Sequence, residues 1–142
     1  MWVFEGFTSY YDALLTARSG AIDTQTYLKS LASTFNRHLS GTAKTRQSLA
    51  ESSFDAWIKY YKVRTNRSRS VTSYYDKGAL VALALDAYIR QKSKGKKSLD
   101  DVLRLAWQQY QEAESAYAGL DEEVMSELVW DATAVDVTEC LD

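Results

Sequence analysis

No proline interrupts the 142 residues of this chain. Proline would break the interior of a helix by removing a donor and clashing with the preceding turn. Its absence lets helical periodicity run almost from end to end. Apolar residues recur three and four positions apart in each segment between the turn signals. The expectation is an all-α domain, compact and built from several helices. At this length a chain can bury a real core as one domain. Hydrophobic residues make up 46% and charged residues 25%, ordinary for a soluble globular protein.

The periodicity predicts a first helix over about Glu5 to Ser19, with Phe7, Tyr10, Tyr11, Leu14 and Leu15 inward and Gly20 as its stop. Asp23 is a candidate N-cap for a second helix. Its stripe is Tyr27, Leu28, Leu31, Phe35 and Leu39, and Gly41 ends it. Thr42 to Gln47 reads as a loop. Ser52 or Ser53 would cap a short helix through Tyr61 whose buried face is Phe54, Trp57, Ile58 and Tyr61. Lys62 to Ser70 is a basic loop, where Arg64, Arg67 and Arg69 could meet an anion or other parts of a larger protein.

Ser73 to Gln91 is apolar nearly all round and should form a central helix packed on several sides. Gly78 within it costs about 1 kcal/mol relative to alanine, so it should allow close approach of another backbone or a ligand. Ser98 to Asp101 is a capping box with aspartate in the usual glutamate position. It opens a helix with Leu99, Val102, Leu103, Ala106, Trp107 and Tyr110 inward. Gly119 and Asp121 mark a further break and cap, before a helix with Val124, Leu128 and Val129 inward. Asp136 could cap a last turn.

Charge and composition narrow the partners. The net charge of −2 suggests no nucleic-acid partner. Its distribution is uneven. Residues 59–104 hold 12 basic and 4 acidic side chains, while residues 105–142 hold 10 acidic and no basic ones. Such blocks read chiefly as solvated loops and helix faces. No apolar run reaches the roughly 18 residues of a membrane span; the most apolar, Gly78 to Ile89, is shorter and is broken by Asp86. No membrane role is expected, and the compartment stays open. Cys140 is the one cysteine, so no internal disulfide can form, and it reads as a small incidental residue. His38 sits near a helix end, where its charge is favourable, and carries no assigned chemistry.

Glu5 is the unusual residue. It stands among Trp2, Phe4, Phe7 and Tyr10, and a carboxylate in such surroundings is costly to ionise without a cation or donors. One explanation is its place in a first helical turn, where the helix dipole favours it.

A second explanation comes from resemblance. Trp2 to Tyr11, as Trp-x-x-Glu-Gly-Phe-Thr-Ser-Tyr-Tyr, resembles the segment carrying the third zinc ligand in glutamate-type zinc aminopeptidases. It is most similar to the glycyl-aminopeptidase family, whose members often carry a PDZ domain. Tyr75-Asp76-Lys77-Gly78-Ala79 is similar to the Tyr-x-Lys-Gly-Ala motif of the catalytic tyrosine. Ser48 to Lys59 and Lys97 to Arg104 also look like this family, and the four segments occur in its order.

The resemblance implies that Glu5 is a zinc ligand, facing an upstream histidine helix with Gly6 leaving room. It implies that Tyr75 steadies the oxyanion, with Tyr74 as the adjacent alternative and Lys77 as electrostatic support. It implies the helical lobe of a thermolysin-like catalytic domain acting on N-terminal residues of peptides, glycine or another small one preferred. The chain departs from the family in lacking His-Glu-x-x-His. It therefore reads as a C-terminal piece of the catalytic domain, covering residues 1–142, with Met1 at the cut and any PDZ domain absent. Zinc would be bound in the intact parent and not in the piece, which should be inactive. Its partners would be the upstream lobe and, in the intact enzyme, a peptide substrate. The cut should expose Trp2, Phe4 and Phe7 and promote self-association. The alternative is a self-contained helical protein-interaction module. A His-Glu-x-x-His upstream of Trp2 in the gene decides between the two.

Overall fold

A computed structural model describes residues 1–40, 47–61, 72–113 and 122–138, with the side chains of residues 122 and 123 left aside. Every regular element among these residues is helical, which agrees with the all-α expectation. The helices are α1 (Trp2–Arg18), α2 (Thr24–Ser40), α3 (Leu49–Phe54), a π-helical turn (Ala56–Tyr60), α4 (Tyr74–Lys92), α5 (Leu99–Glu112) and α6 (Glu122–Thr133). No described helix is long and apolar enough to cross a membrane. The chain divides into two compact units, Met1–Ala82 and Leu83–Asp142.

In the first unit α1 packs on α2 and on α3. It begins at Trp2, three residues earlier than its apolar spacing suggests. The Met1 carbonyl accepts from the Glu5 amide at 3.0 Å, and the Trp2 amide donates to Ser53 Oγ at 2.9 Å. A donor of the first turn is thus satisfied by a side chain 51 residues away. Trp2, Val3, Gly6, Phe7 and Tyr10 form its buried face. Gly20 ends it as expected, at φ +79°, a conformation only glycine adopts without strain. Asp23 caps α2 as expected, its Oδ1 accepting from the Thr26 amide at 2.7 Å.

Expectations about several buried faces are corrected by the structure. The first concerns α3, which starts after Ser48 rather than after Ser52 or Ser53. Ser48 and Glu51 form a reciprocal capping box, with bonds of 3.0 and 2.8 Å. Ser52 and Ser53 are instead buried with Ala56, while Phe54 is 89% exposed and Trp57 72%. The small side chains allow other backbone to come close. Ser52 Oγ donates to the Thr72 carbonyl and Ser53 Oγ receives Trp2. The aromatic stripe turns outward. The second correction is that no residue of α2 is buried, with Leu28, Phe35 and Leu39 exposed. The third is that the supposed exposed patch at Trp2, Phe4 and Phe7 reduces to Phe4. Trp2 and Phe7 are 7% and 4% exposed, their rings meeting edge-on at 6.4 Å.

In the second unit α5 packs on α6. Leu99, Val102, Ala106, Met125, Leu128 and Val129 are buried, but Trp107, Tyr110 and Val124 are exposed, against expectation. Trp107 and Tyr110 stack on each other at 5.4 Å. The capping box holds: the Asp101 carboxylate accepts from the Ser98 amide at 2.9 Å. Buried Asp86 joins α4 to the start of α5, accepting from Arg90 Nε at 2.9 Å and from the Leu99 amide at 2.8 Å. It is thereby paired and fully hydrogen-bonded, as a buried carboxylate must be. Helix α4 spans Tyr74–Lys92 close to expectation, but its buried residues form a broad stripe (Tyr74, Gly78, Ala79, Ala82, Leu85, Asp86, Ile89) rather than a full circumference. Asp136 Oδ1 accepts from the Thr138 amide at 3.0 Å, a local turn. Gly41, the loop residues 42–46, Arg64, Arg67, Arg69, Gly119, Asp121 and Cys140 lie outside the described residues.

Candidate functional site

Two glycines place the candidate site. A Cβ added to Gly6 would lie 2.6 Å from the Gly78 Cα and carbonyl carbon. One added to Gly78 would lie 2.8 Å from the Gly6 Cα and 3.0 Å from the Trp2 carbonyl oxygen. Helices α1 and α4 therefore touch backbone to backbone, a distance no larger residue permits. The open space at Gly6, expected for a separate histidine helix, is taken by Gly78. The expectation for Gly78 itself, close approach of another backbone, is met.

This crossing controls what lies beside it. Glu5 precedes Gly6, and Tyr75 lies three residues before Gly78, one helical turn earlier. The structure brings these two candidates together. The Glu5 carboxylate sits near enough for its charge to act on the Tyr75 phenol. Glu5 is half-buried in the first turn of α1. A half-buried carboxylate is an acceptor-only anion, and oxygen of this kind suits a zinc ligand. Among the described residues no three histidine, cysteine, aspartate or glutamate side chains are grouped to hold a metal. Glu5 thus fits as one ligand of a set, not as a site by itself.

Tyr75 belongs to a cluster of phenols. Tyr61 Oη lies 2.8 Å from Tyr74 Oη and 3.1 Å from Tyr75 Oη. The rings of Tyr74 and Tyr75 stack at 4.6 Å, and Tyr60 meets them at 5.0 and 6.0 Å. Tyr74 is wholly buried and Tyr75 is half-buried. Burial, then the hydrogen bond with Tyr61, holds the Tyr74 hydroxyl well above the ordinary phenol range. Tyr75 is also raised, chiefly by its bond to Tyr61 and further by burial and the Glu5 charge, while its bond with Tyr74 acts the other way. Both phenols are neutral O–H donors at physiological pH. Lys77 stands two residues on, half-buried on α4.

The family model of the M61 glycyl aminopeptidases matches residues 1–81. The chain belongs to this family. The match ends one residue short of the boundary of the first unit, so it contains Glu5, Gly6, Tyr61, Tyr75 and Gly78. A solved structure of an aminopeptidase N family protein from Idiomarina loihiensis is similar over 99% of this chain, with a TM-score of 0.90 and 37% identity. This chain spans 23% of that protein's chain. No curated protein matches. Membership in an aminopeptidase family does not favour the alternative of a self-contained interaction module.

One residue of the cluster escaped the sequence reading. Tyr61 was expected to be a buried packing residue, yet it is 42% exposed and bridges both candidate tyrosines. The available signal was the pair of doublets Tyr60-Tyr61 and Tyr74-Tyr75. The distance between them in sequence gave no hint that they meet. His38 is half-buried in the last turn of α2, away from any assigned role.

Proposed function

We propose that this chain is the helical part, residues 1–142, of the catalytic domain of a zinc aminopeptidase, and that it removes N-terminal residues from peptides when joined to the rest of that domain. The observation that carries the reading is the proximity of Glu5 and Tyr75 at a glycine-to-glycine helix crossing. Their motifs are 70 residues apart in sequence, and nothing in an unrelated helical module requires them to meet.

In this reading Glu5 is the carboxylate ligand, and two histidines and a general-base glutamate come from an upstream lobe. Zinc, when bound, supplies a Lewis acid for the scissile carbonyl and a nucleophilic water near neutral pH. Glu5, in the first turn of α1, would hold the metal through a carboxylate oxygen. Tyr75 supplies the other half. Hydrolysis places negative charge on the carbonyl oxygen of the bond being cut, and the neutral Tyr75 O–H donates to it. Tyr75 is favoured over Tyr74 because a hydroxyl must reach substrate, and Tyr74 is wholly enclosed. Lys77 adds positive potential nearby. The preference for glycine or another small N-terminal residue follows from family membership.

The test uses the longer protein that contains this chain. Purified with zinc, it should cleave glycyl anilides and lose that activity on chelation. The chain of 142 residues alone should bind zinc poorly and cleave nothing, since one carboxylate does not hold the metal. Chelator-sensitive cleavage by the chain alone would overturn the reading.

A further inference from the structure

The π-helical turn Ala56–Tyr60 ends with the Tyr61 amide bonded to the Ala56 carbonyl at 3.0 Å. The turn is wider than an α-turn and is held by an ion pair between Lys59 and Asp55. π-turns of this kind often occur at functional sites. This one carries the Tyr61 hydroxyl to Tyr74 and Tyr75, while the Tyr61 ring rests on Trp57 at 5.0 Å.

Proton counting then constrains the cluster. Each phenol has one proton to give and can also accept. Tyr74 is wholly buried, so its proton must be used inside the protein, and Tyr61 Oη at 2.8 Å is placed to receive it. Tyr75 Oη lies 3.1 Å from the same Tyr61 hydroxyl, so Tyr61 ties both phenols at once.

We propose that Tyr61 is a positioning residue for the aminopeptidase reaction, holding the Tyr75 hydroxyl in the rotamer that meets the scissile carbonyl oxygen. This rests on the reading of Tyr75 given above. Tyr61 touches no substrate; it acts through Tyr75.

The experiment is a double-mutant cycle in the longer, zinc-loaded protein, with Tyr61→Phe, Tyr75→Phe and both together, assayed on a glycyl anilide. Phenylalanine keeps the ring on Trp57 and removes only the hydroxyl, and circular dichroism checks that the helical fold is retained. Tyr61→Phe should lower kcat roughly three- to tenfold, the worth of one hydrogen bond, with KM and zinc content unchanged. In the Tyr75→Phe background the same change should have no further effect on kcat. A Tyr61→Phe enzyme with normal kcat, or one whose loss is repeated in full on Tyr75→Phe, would overturn the proposal while leaving Tyr75 in place. A Tyr61→Phe protein that loses its helical signal would assign the residue to folding instead. Normal kcat in Tyr75→Phe alone would remove the underlying reading, and this inference with it.

Discussion

At the scale of residues, neighbours of the same type stand in different surroundings. Tyr74 and Tyr75 are adjacent, stacked and bonded to one Tyr61 hydroxyl, but burial closes the first and leaves the second reachable. Tyr75→Phe in the longer protein should therefore cost a factor of about 10² to 10³ in kcat, typical of a lost oxyanion donor, with zinc content unchanged. Steady-state kinetics beside metal analysis checks it. Tyr74 carries a prediction about pH. Its folded pKa is raised, first by burial, above the value of about 10 in the unfolded chain. The folded state thus holds this proton more tightly. The resulting stability is present in full below about pH 10 and is lost as pH rises toward the folded value. Urea unfolding on the alkaline side of pH 10 should show a steeper loss for wild type than for Tyr74→Phe.

At the scale of elements, the contact of α1 with α4 at Gly6 and Gly78 is the feature on which the candidate site depends. Gly6→Ala drives a methyl into backbone at 2.6 Å, which has no rotamer by which to retreat. It should destabilise by about 1–3 kcal/mol or more, as overpacking does, and should displace Glu5 from Tyr75. Gly20→Ala offers the contrast. Nothing lies within 4 Å of the added methyl, so the cost is only that of alanine at positive φ, about 1–2 kcal/mol. Thermal melts should rank Gly6→Ala below Gly20→Ala, and only the former should reduce activity beyond its loss of folded protein. This contact was half legible in the sequence. Glycine inside a helical pattern signalled a close approach at Gly78, but sequence spacing does not name the partner. The short helix before Tyr61 was misread for a related reason. Periodicity found the aromatic stripe Phe54, Trp57, Ile58 and Tyr61, but whether it or the small-residue face goes inward depends on what packs there. Ser52 and Ser53 face in because Thr72 and Trp2 supply the backbone groups that satisfy their hydroxyls.

At the scale of the whole molecule, the all-helical class, most helix positions among the described residues and the capping signals at Asp23 and Ser98 followed from periodicity and local chemistry. Candidates Glu5 and Tyr75 came from motifs, and the Gly6–Gly78 approach puts them on touching helices. What the sequence could not reveal is which apolar surface stays open. In the first unit Phe4, Leu15, Leu28, Leu39, Phe54, Trp57 and Ile58 are each more than half exposed. A surface of this kind on a chain equal to 23% of its solved relative should drive self-association of the isolated chain. Sedimentation at rising concentration should show species larger than the 16.1 kDa monomer. A strictly monomeric chain would show that this surface needs no partner.

The central claim concerns Glu5, and zinc stoichiometry tests it most directly. Metal analysis of the longer protein and of its Glu5→Ala variant, each dialysed to equilibrium with buffered zinc, gives the answer. The account predicts close to one zinc per chain in the wild type and a large loss in Glu5→Ala, with the helical signal intact in both. Full zinc occupancy in a folded Glu5→Ala protein would contradict it.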